Sequence, residues 1–359
     1  MDRLPQHMGV LQIELTDLCN LSCSMCAPHH EGWATVHGIP KGKMDFAVYE
    51  AIVGRLAAED CRFDHIIFQW LGDPSLHSRL EDMLALAQER LGDRVGYLRV
   101  DTNAITLTPA RMDRLVELYA RHPQVPLLLV FTLDAATPET YRRVKGQDAL
   151  ERVRRNVRRL LMQRARLDLE DVRLNVELQF VLQEGNAHEL GQFVRYWERT
   201  LACYGGKGHS DLMIKRLSVG AGGAGQQAAD ALYQRRVAEE GLRAFRSDHL
   251  ELKLWESSPW EKAEPGPRQA CPGLWLTPVI RHDGHLLMCC ADLSSQMDLG
   301  PVHESGFRAL WEGEQADGYR TAHLQGRFEE LEACRDCGGI QWYDLPMTLV
   351  DATLERTGA

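Results

Sequence analysis

The chain has no apolar run of about 18 residues, so no helix in it is expected to span a bilayer. Its first residues, MDRLPQHMGV, lack the apolar core of a secretory signal. It has no excess of positive charge: 41 Lys and Arg stand against 51 Asp and Glu, a formal net charge of −10. An acidic surface is repelled by a polyanion, which argues against DNA or RNA as a partner. The arginines gather only locally, at Arg152, Arg154, Arg155, Arg158 and Arg159, a spacing that reads as a solvated helix face. Internal repeats and low-complexity segments are absent. The glycine stretch VGAGGAGQ (219–226) has no Lys-Ser/Thr and no matching βαβ unit around it, so it reads as a loop, not a phosphate cradle. What remains is a chain of 359 residues, 44% hydrophobic, ample for one large domain and a smaller one. The expected compartment is the cytoplasm, where thiols stay reduced.

What is present is cysteine, ten residues that a reducing compartment keeps out of disulfides. Seven fall into two groups with ligand-like spacing: Cys19, Cys23 and Cys26 as C-x3-C-x2-C, then Cys271, Cys289, Cys334 and Cys337. Cys61, Cys203 and Cys290 are left over. Three thiolates are one short of a closed zinc site, and zinc would need His29 or His30 as a fourth ligand. Three do suit a four-iron cubane in which one iron stays open to a small molecule. The second group offers four thiolates, enough for a complete cubane or for a zinc ribbon.

From residue 9 to about 218, short apolar runs alternate with helical patterns. Strands are expected at 10–16, 65–71, 95–102, 126–134, 172–182 and 212–218, with helices near 46–59, 78–91, 108–122, 138–165 and 187–202. Six β-α units imply a parallel sheet with helices outside, an open partial (β/α)6 barrel rather than a closed eight-unit one. Residues 219–270 read as a connector with one helix over 227–246 and a Pro-rich boundary; 271–345 form a small second unit, and 346–359 a tail. The first cysteine loop follows strand one, at the mouth where barrel enzymes place their sites.

C-x3-C-x2-C after a first strand resembles the signature of the radical S-adenosylmethionine (SAM) superfamily, and the likeness extends over nearly the whole chain. It implies that the open iron of a [4Fe–4S] cluster chelates SAM and cleaves it to a 5′-deoxyadenosyl radical that abstracts a hydrogen atom from substrate. LGDPSLH (71–77) is similar to the family's Gly-Gly-Glu-Pro turn. Gly72, Asp73 and Pro74 would then receive the SAM ammonium, with Leu71 for the first glycine and Asp73 for the glutamate. DTNA (101–104) resembles its Thr-Asn-Gly, which offers Thr102 and Asn103. TLDAATPETYRRVKG (132–146) resembles its Ser-Leu-Asp segment, which offers Thr132 and Asp134 to the ribose. Met25 stands where an aromatic residue often packs near adenine. CPGLW (271–275), DGHLLMCCAD (283–292) and CRDC (334–337) resemble the auxiliary-cluster extension called SPASM, or its shorter twitch form. Gly284 lies five before Cys289, and four cysteines imply one auxiliary [4Fe–4S] cluster.

Strand five alternates: Val176, Leu178, Phe180 and Leu182 face one way, Asn175, Glu177 and Gln179 the other, into the barrel. Glu177 is therefore a candidate base and Gln179 a SAM or substrate contact. Lys215 and Arg216 on strand six are further candidates to bind or deprotonate substrate. Cys61 and Cys203 end helices and are expected buried at the barrel floor. Only 18 residues precede Cys19, which argues against an N-terminal peptide-recognition domain and favours a small substrate. The resemblance then points to oxidation of a secondary alcohol in a sugar or aminocyclitol of aminoglycoside type, with the auxiliary cluster taking an electron. Epimerisation with a thiol hydrogen donor, peptide modification, and a scaffold without turnover stay open. An external one-electron donor of flavodoxin or ferredoxin type is implied as partner.

Overall fold

Seven parallel strands make the barrel wall in the computed structural model, which describes residues 9–26, 40–121, 124–167, 173–206, 208–218, 224–255, 268–335, 337, 339 and 343–358. They are β1 (Val10–Ile13), β2 (Phe63–Ile67), β3 (Val95–Thr102), β4 (Leu127–Thr132), β5 (Leu174–Leu182), β6 (Ser210–Arg216) and β7 (Glu251–Trp255), side by side in chain order. The helices between them are α1 (Phe46–Ala58), α2 (Leu80–Leu91), α3 (Pro109–Arg121), α4 (Pro138–Lys145), α5 (Leu150–Ala165), α6 (Leu190–Tyr204) and α7 (Ala224–Glu239). No helix among the described residues is long and apolar enough to cross a membrane.

Period-two patterning decides which face is which. Val100, Leu129, Val176, Leu178, Phe180, Leu212 and Ile214 are all completely buried under the helices. Phe180 meets Phe193 of α6 at 4.8 Å between ring centres, which fixes the outward direction. Each such side chain contributes about 1.5–3 kcal/mol by leaving water. The alternate residues line the interior in register: Val130, Glu177, Asp211 and Glu251 in one row, Thr132, Gln179, Met213 and Lys253 in the next.

Three features depart from the sequence expectation. The segment 219–270 holds its expected helix as α7 but is more than a connector, because it also supplies a seventh strand, β7, at the sheet edge. The half-apolar ELKLW is too short to stand out from a loop until β6 is there to pair with it. The second unit is not a separate layer: its strand β8 (Val279–Ile280) pairs parallel with β1, and β9 (His285–Leu287) and β10 (Asp298–Pro301) continue the same sheet antiparallel. The ten-stranded sheet stays open, with β10 and β7 at its ends. The expected tail folds as a helix; after α8 (Glu314–Leu324), α9 (Met347–Thr357) docks through Thr353 on Trp275 Nε1 (3.0 Å) and Arg356 on Asp317 (2.6 Å).

The helices expected over 138–165 are two, α4 and α5, divided at Gly146, which caps α4 in the left-handed conformation (φ +76°). A side chain there would run into Ser22, so the break is where the cysteine loop rests. Cys61 is buried as expected, whereas Cys203 is exposed on the outer face of α6, next to the C-terminal Tyr204.

Candidate active site

The loop of Cys19, Cys23 and Cys26 leaves β1 at the strand C-termini and is pinned from two sides. Ser22 N–H and Ser24 N–H donate to the carbonyls of Lys145 (3.3 Å) and Val144 (3.1 Å) at the end of α4. On the other side Asp73 N–H donates to Leu18 O at 2.8 Å, and Asn103 Nδ2 donates to Asn20 Oδ1 at 2.8 Å. Beneath the loop lies a buried ion pair, Lys145 with Asp134. Burial pushes the Cys19 and Cys26 thiols up to about 11, and in Cys26 the neighbouring Cys23 and Cys19 add to it. Cys23 is raised by burial too, with Lys145 opposing. Three mutually repelling thiols over a buried ammonium form a donor set that a cationic cluster would neutralise, with release of protons. His29 and His30 lie outside the described residues.

The turn after β2 packs directly on this loop. Gly72 has no room for a side chain: a Cβ would lie 2.6 Å from Asp17 C, 2.7 Å from Leu18 O and closer still to Thr16 O. Asp73 is buried, its Oδ1 accepting from Ser75 N (2.9 Å), Ser75 Oγ (2.6 Å) and Thr102 Oγ1 (2.8 Å) and its Oδ2 from Asn103 N (2.8 Å). It caps the short 3-10 turn that Pro74 opens. Ala104 takes a left-handed φ of +61°, the backbone state that favours glycine.

Four more thiols converge in the second unit. Burial raises Cys334 to about 12, with Cys289, Cys337 and Cys271 adding to it. Burial raises Cys337 too, and Cys289 is raised by its hydrogen bond with the adjacent Cys290 and by burial. Backbone N–H groups of Ala291 and Gly339 point at the sulfurs of Cys289 and Cys337, both at 3.4 Å. Gly284 turns the β8–β9 hairpin with φ +86°, where a Cβ would strike His303 and Val48, and so brings Cys289 round to the others.

The radical SAM superfamily model matches residues 13–163, and the SPASM iron–sulfur cluster-binding domain model matches residues 271–338. The chain belongs to the radical SAM superfamily. It is a radical SAM enzyme with a C-terminal SPASM domain, and its cofactors are a SAM-binding [4Fe–4S] cluster, auxiliary iron–sulfur and SAM. The tungsten-containing aldehyde ferredoxin oxidoreductase cofactor-modifying protein of Pyrococcus furiosus is 31% identical over 112 residues, 31% of this chain and 28% of that relative. Native anSMEcpe with bound AdoMet is 15% identical, with 97% of this chain and 96% of that one covered at a TM-score of 0.60. Streptococcus suis SuiB bound to its precursor peptide SuiA is 12% identical, with 89% and 68% covered at a TM-score of 0.57. At these identities the two structures share the fold.

Within that radical SAM frame the sequence-predicted residues divide. Gly72, Asp73, Pro74, Thr102 and Asn103 come together beside the cysteine loop, but the side chains of Asp73, Thr102 and Asn103 are committed to one another and to Asn20. Thr132 is partly open at the end of β4, with Oγ1 3.5 Å from Thr102 O. Asp134 is fully enclosed between Val181 N (2.6 Å) and Lys145, which turns it away from any ribose. Met25 Sδ accepts from Gln183 Nε2 at 3.1 Å, just past β5. Glu177 and Gln179 sit together inside the barrel, 3.3 Å apart. Lys215 also faces inward, with Nζ 5.4 Å from the Trp255 ring centre. Arg216 points outward to Asp230 of α7 at 2.9 Å.

Several residues escaped the sequence reading. Lys145 hid in a basic helix end. Arg99 and Asp101 form a bidentate pair inside the barrel, at 2.6 and 2.7 Å, with Asp101 in the same row as Glu177 and Arg99 in the row below. Trp70 packs on Val279 and Leu287 and donates its indole N–H to Cys290 O at 2.9 Å. Glu14 accepts from Leu71 N (3.1 Å) and from His282 Nδ1 (3.1 Å), which links β1, the turn and the second unit.

Proposed function

We propose that this radical SAM enzyme oxidises a secondary alcohol of a small, polyhydroxylated substrate of the sugar or aminocyclitol (aminoglycoside) type to a ketone. The observation that carries the reading is Lys215. It is partly buried on the inner face of β6, and among the described residues no carboxylate lies within ion-pair distance of it. Burial, reinforced by Arg99, lowers its pKa from the ordinary value, so the free amine is more accessible than in a surface lysine. When bound, SAM and the two clusters supply a carbon radical and a one-electron acceptor. The chain supplies the rest. Removing a carbinol hydrogen atom leaves one proton and one electron to dispose of, and Lys215 takes the hydroxyl proton. Glu177, Gln179 and the Arg99–Asp101 pair present donors and acceptors on adjoining rows, a lining suited to several hydroxyl or amino groups. Cys19, Cys23 and Cys26 hold the SAM cluster. Cys271, Cys289, Cys334 and Cys337 fill a single auxiliary [4Fe–4S] cluster. A flavodoxin- or ferredoxin-type carrier supplies the priming electron.

The test is Lys215→Met and Lys215→Arg, assayed anaerobically with aminocyclitols in D2O. Lys215→Met should lower ketone formation about 10²–10⁴-fold while SAM cleavage persists. Full-rate ketone formation by Lys215→Met would remove Lys215 as base. A second reading, epimerisation, draws on Cys290, whose carbonyl accepts from Trp70 Nε1 and which packs, like Leu71, on the Trp70–Val279–Leu287 cluster. A product that gains one deuterium without losing two hydrogens would favour that reading, with Cys290 as hydrogen donor.

A further inference from the structure

The barrel floor carries a cluster of ligand atoms remote in sequence from both cysteine groups. His209 and Asp211 stand two residues apart at the start of β6, and Glu251 opens β7 as the register partner of Asp211. His209 Nε2 lies 2.7 Å from Asp211 Oδ1 and 3.8 Å from Glu251 Oε2, and the three ligand atoms fall within 4.8 Å of one another. Asp211 is 3% exposed. Its Oδ2 is taken by Lys253 Nζ at 2.7 Å. Its Oδ1 is shut off from solvent and receives no hydrogen bond, because the imidazole beside it does not aim an N–H at the oxygen. A buried carboxylate oxygen without a donor is costly. Two unbonded ligand atoms this close are what a shared cation produces: at bond lengths of about 2.0–2.1 Å, neighbouring ligands stand roughly 3 Å apart.

We propose that His209, Asp211 and Glu251 bind one zinc-class divalent cation. Imidazole with two carboxylates suits such an ion, and water completes the shell. Lys253 serves as the outer partner that orients the Asp211 carboxylate. The surrounding charge favours a cation: besides Asp211 and Glu251, Glu177 on β5 faces the same row, three carboxylates against the Lys253 ammonium and the Arg164 guanidinium that bonds the His209 carbonyl (2.9 Å). His209 and Glu251 are each more than half exposed, which gives the ion a path in. Because β7, an edge strand, pairs among the described residues with β6 alone, the ion would staple it at the end opposite the cysteine loop.

The test uses holoenzyme with its clusters intact, so that the cysteines are occupied. After dialysis against a weak chelator, zinc is titrated by calorimetry, bound zinc is counted by mass spectrometry, and the thermal midpoint is read with and without zinc. Wild type should take about one zinc per chain and gain thermal stability from it. His209→Gln and Glu251→Gln, both at exposed positions, should each weaken binding by about tenfold or more and lose the thermal shift. The proposal is overturned if wild type takes up no zinc. Uptake unchanged in both variants would overturn it equally, since the ion would then sit elsewhere.

Discussion

Gly72→Ala tests whether the turn after β2 and the cysteine loop are one rigid unit. The added carbon would meet only backbone: Asp17 C at 2.6 Å, Leu18 O at 2.7 Å and, nearer still, Thr16 O. Ordinary carbon–oxygen contacts are about 3.3–3.6 Å, so the turn or the loop must move by about 1 Å. Neither moves alone, because Asp73 N–H is bonded to Leu18 O and the Asp73 carboxylate ties the turn to Thr102 and Asn103. Overpacking of this kind costs about 1–3 kcal/mol. A 1 Å misplacement of a binding group is worth about 10²-fold in rate. The assay is anaerobic 5′-deoxyadenosine formation, normalised to iron content, alongside the thermal midpoint. Gly54→Ala in α1, where a Cβ meets nothing within 4 Å, is the control and should be neutral or stabilise by about 0.5–1 kcal/mol. Wild-type turnover and a wild-type KM for SAM in Gly72→Ala would refute the rigid-unit argument.

Lys145→Met strands the buried Asp134 carboxylate with Val181 N–H as its main donor and should cost about 3–5 kcal/mol in urea denaturation. Adding Asp134→Asn should restore a large part of that loss, and failure to do so would mean the ion pair is not what Lys145 contributes. His282 gives a pH signature. Burial disfavours its charged form, but the hydrogen bond it donates to Glu14 and the charges of Asp17, Glu14 and Asp283 outweigh this, so its pKa is raised above the ordinary 6.5. A raised histidine stabilises the fold fully below pH 6.5 and progressively less as pH rises through the folded value. The thermal midpoint of wild type relative to His282→Gln should therefore fall as pH climbs from 6.5, and a pH-independent difference would count against the Glu14–His282 pair being ionic.

The sheet was legible because its outer face is apolar at period two, and α1 and α4 begin on side-chain caps, Asp45 and Thr137; all six expected strands are present. β7 was not legible, since ELKLW has no buried face of its own and becomes a strand only through β6. Motif spacing marked the seven cysteines and the three strand-end turns, because loops that must place ligands tolerate few spacings. The roles of individual polar side chains were less visible. Asp73, Thr102, Asn103 and Asp134 read as ligands from their positions, yet a buried carboxylate accepts whatever donors the fold brings, and here the fold brings its own. Arg99 and Asp101 were readable in principle: GYLRVDT alternates polar and apolar as strand five does, and the same rule applied there would have placed both inside the barrel.

The SPASM unit does more than carry cysteines at a distance. Through Glu14, one carboxylate holds the Leu71 backbone and His282 at once, at 3.1 Å each. Through Trp70, the residue two before Gly72 is bonded to the carbonyl beside Cys289. β8 pairs with β1, the strand that delivers Cys19. The turn at Gly72 is thus held by three contacts that cross between the units, and each lies within four residues of Gly72, or on β1 and its extension. A shift of the β8–β9 hairpin cannot leave that turn in place, because interiors packed at crystal density transmit displacement instead of absorbing it. The geometry of the SAM site therefore depends on the auxiliary unit being folded, even for steps in which the auxiliary cysteines take no direct part.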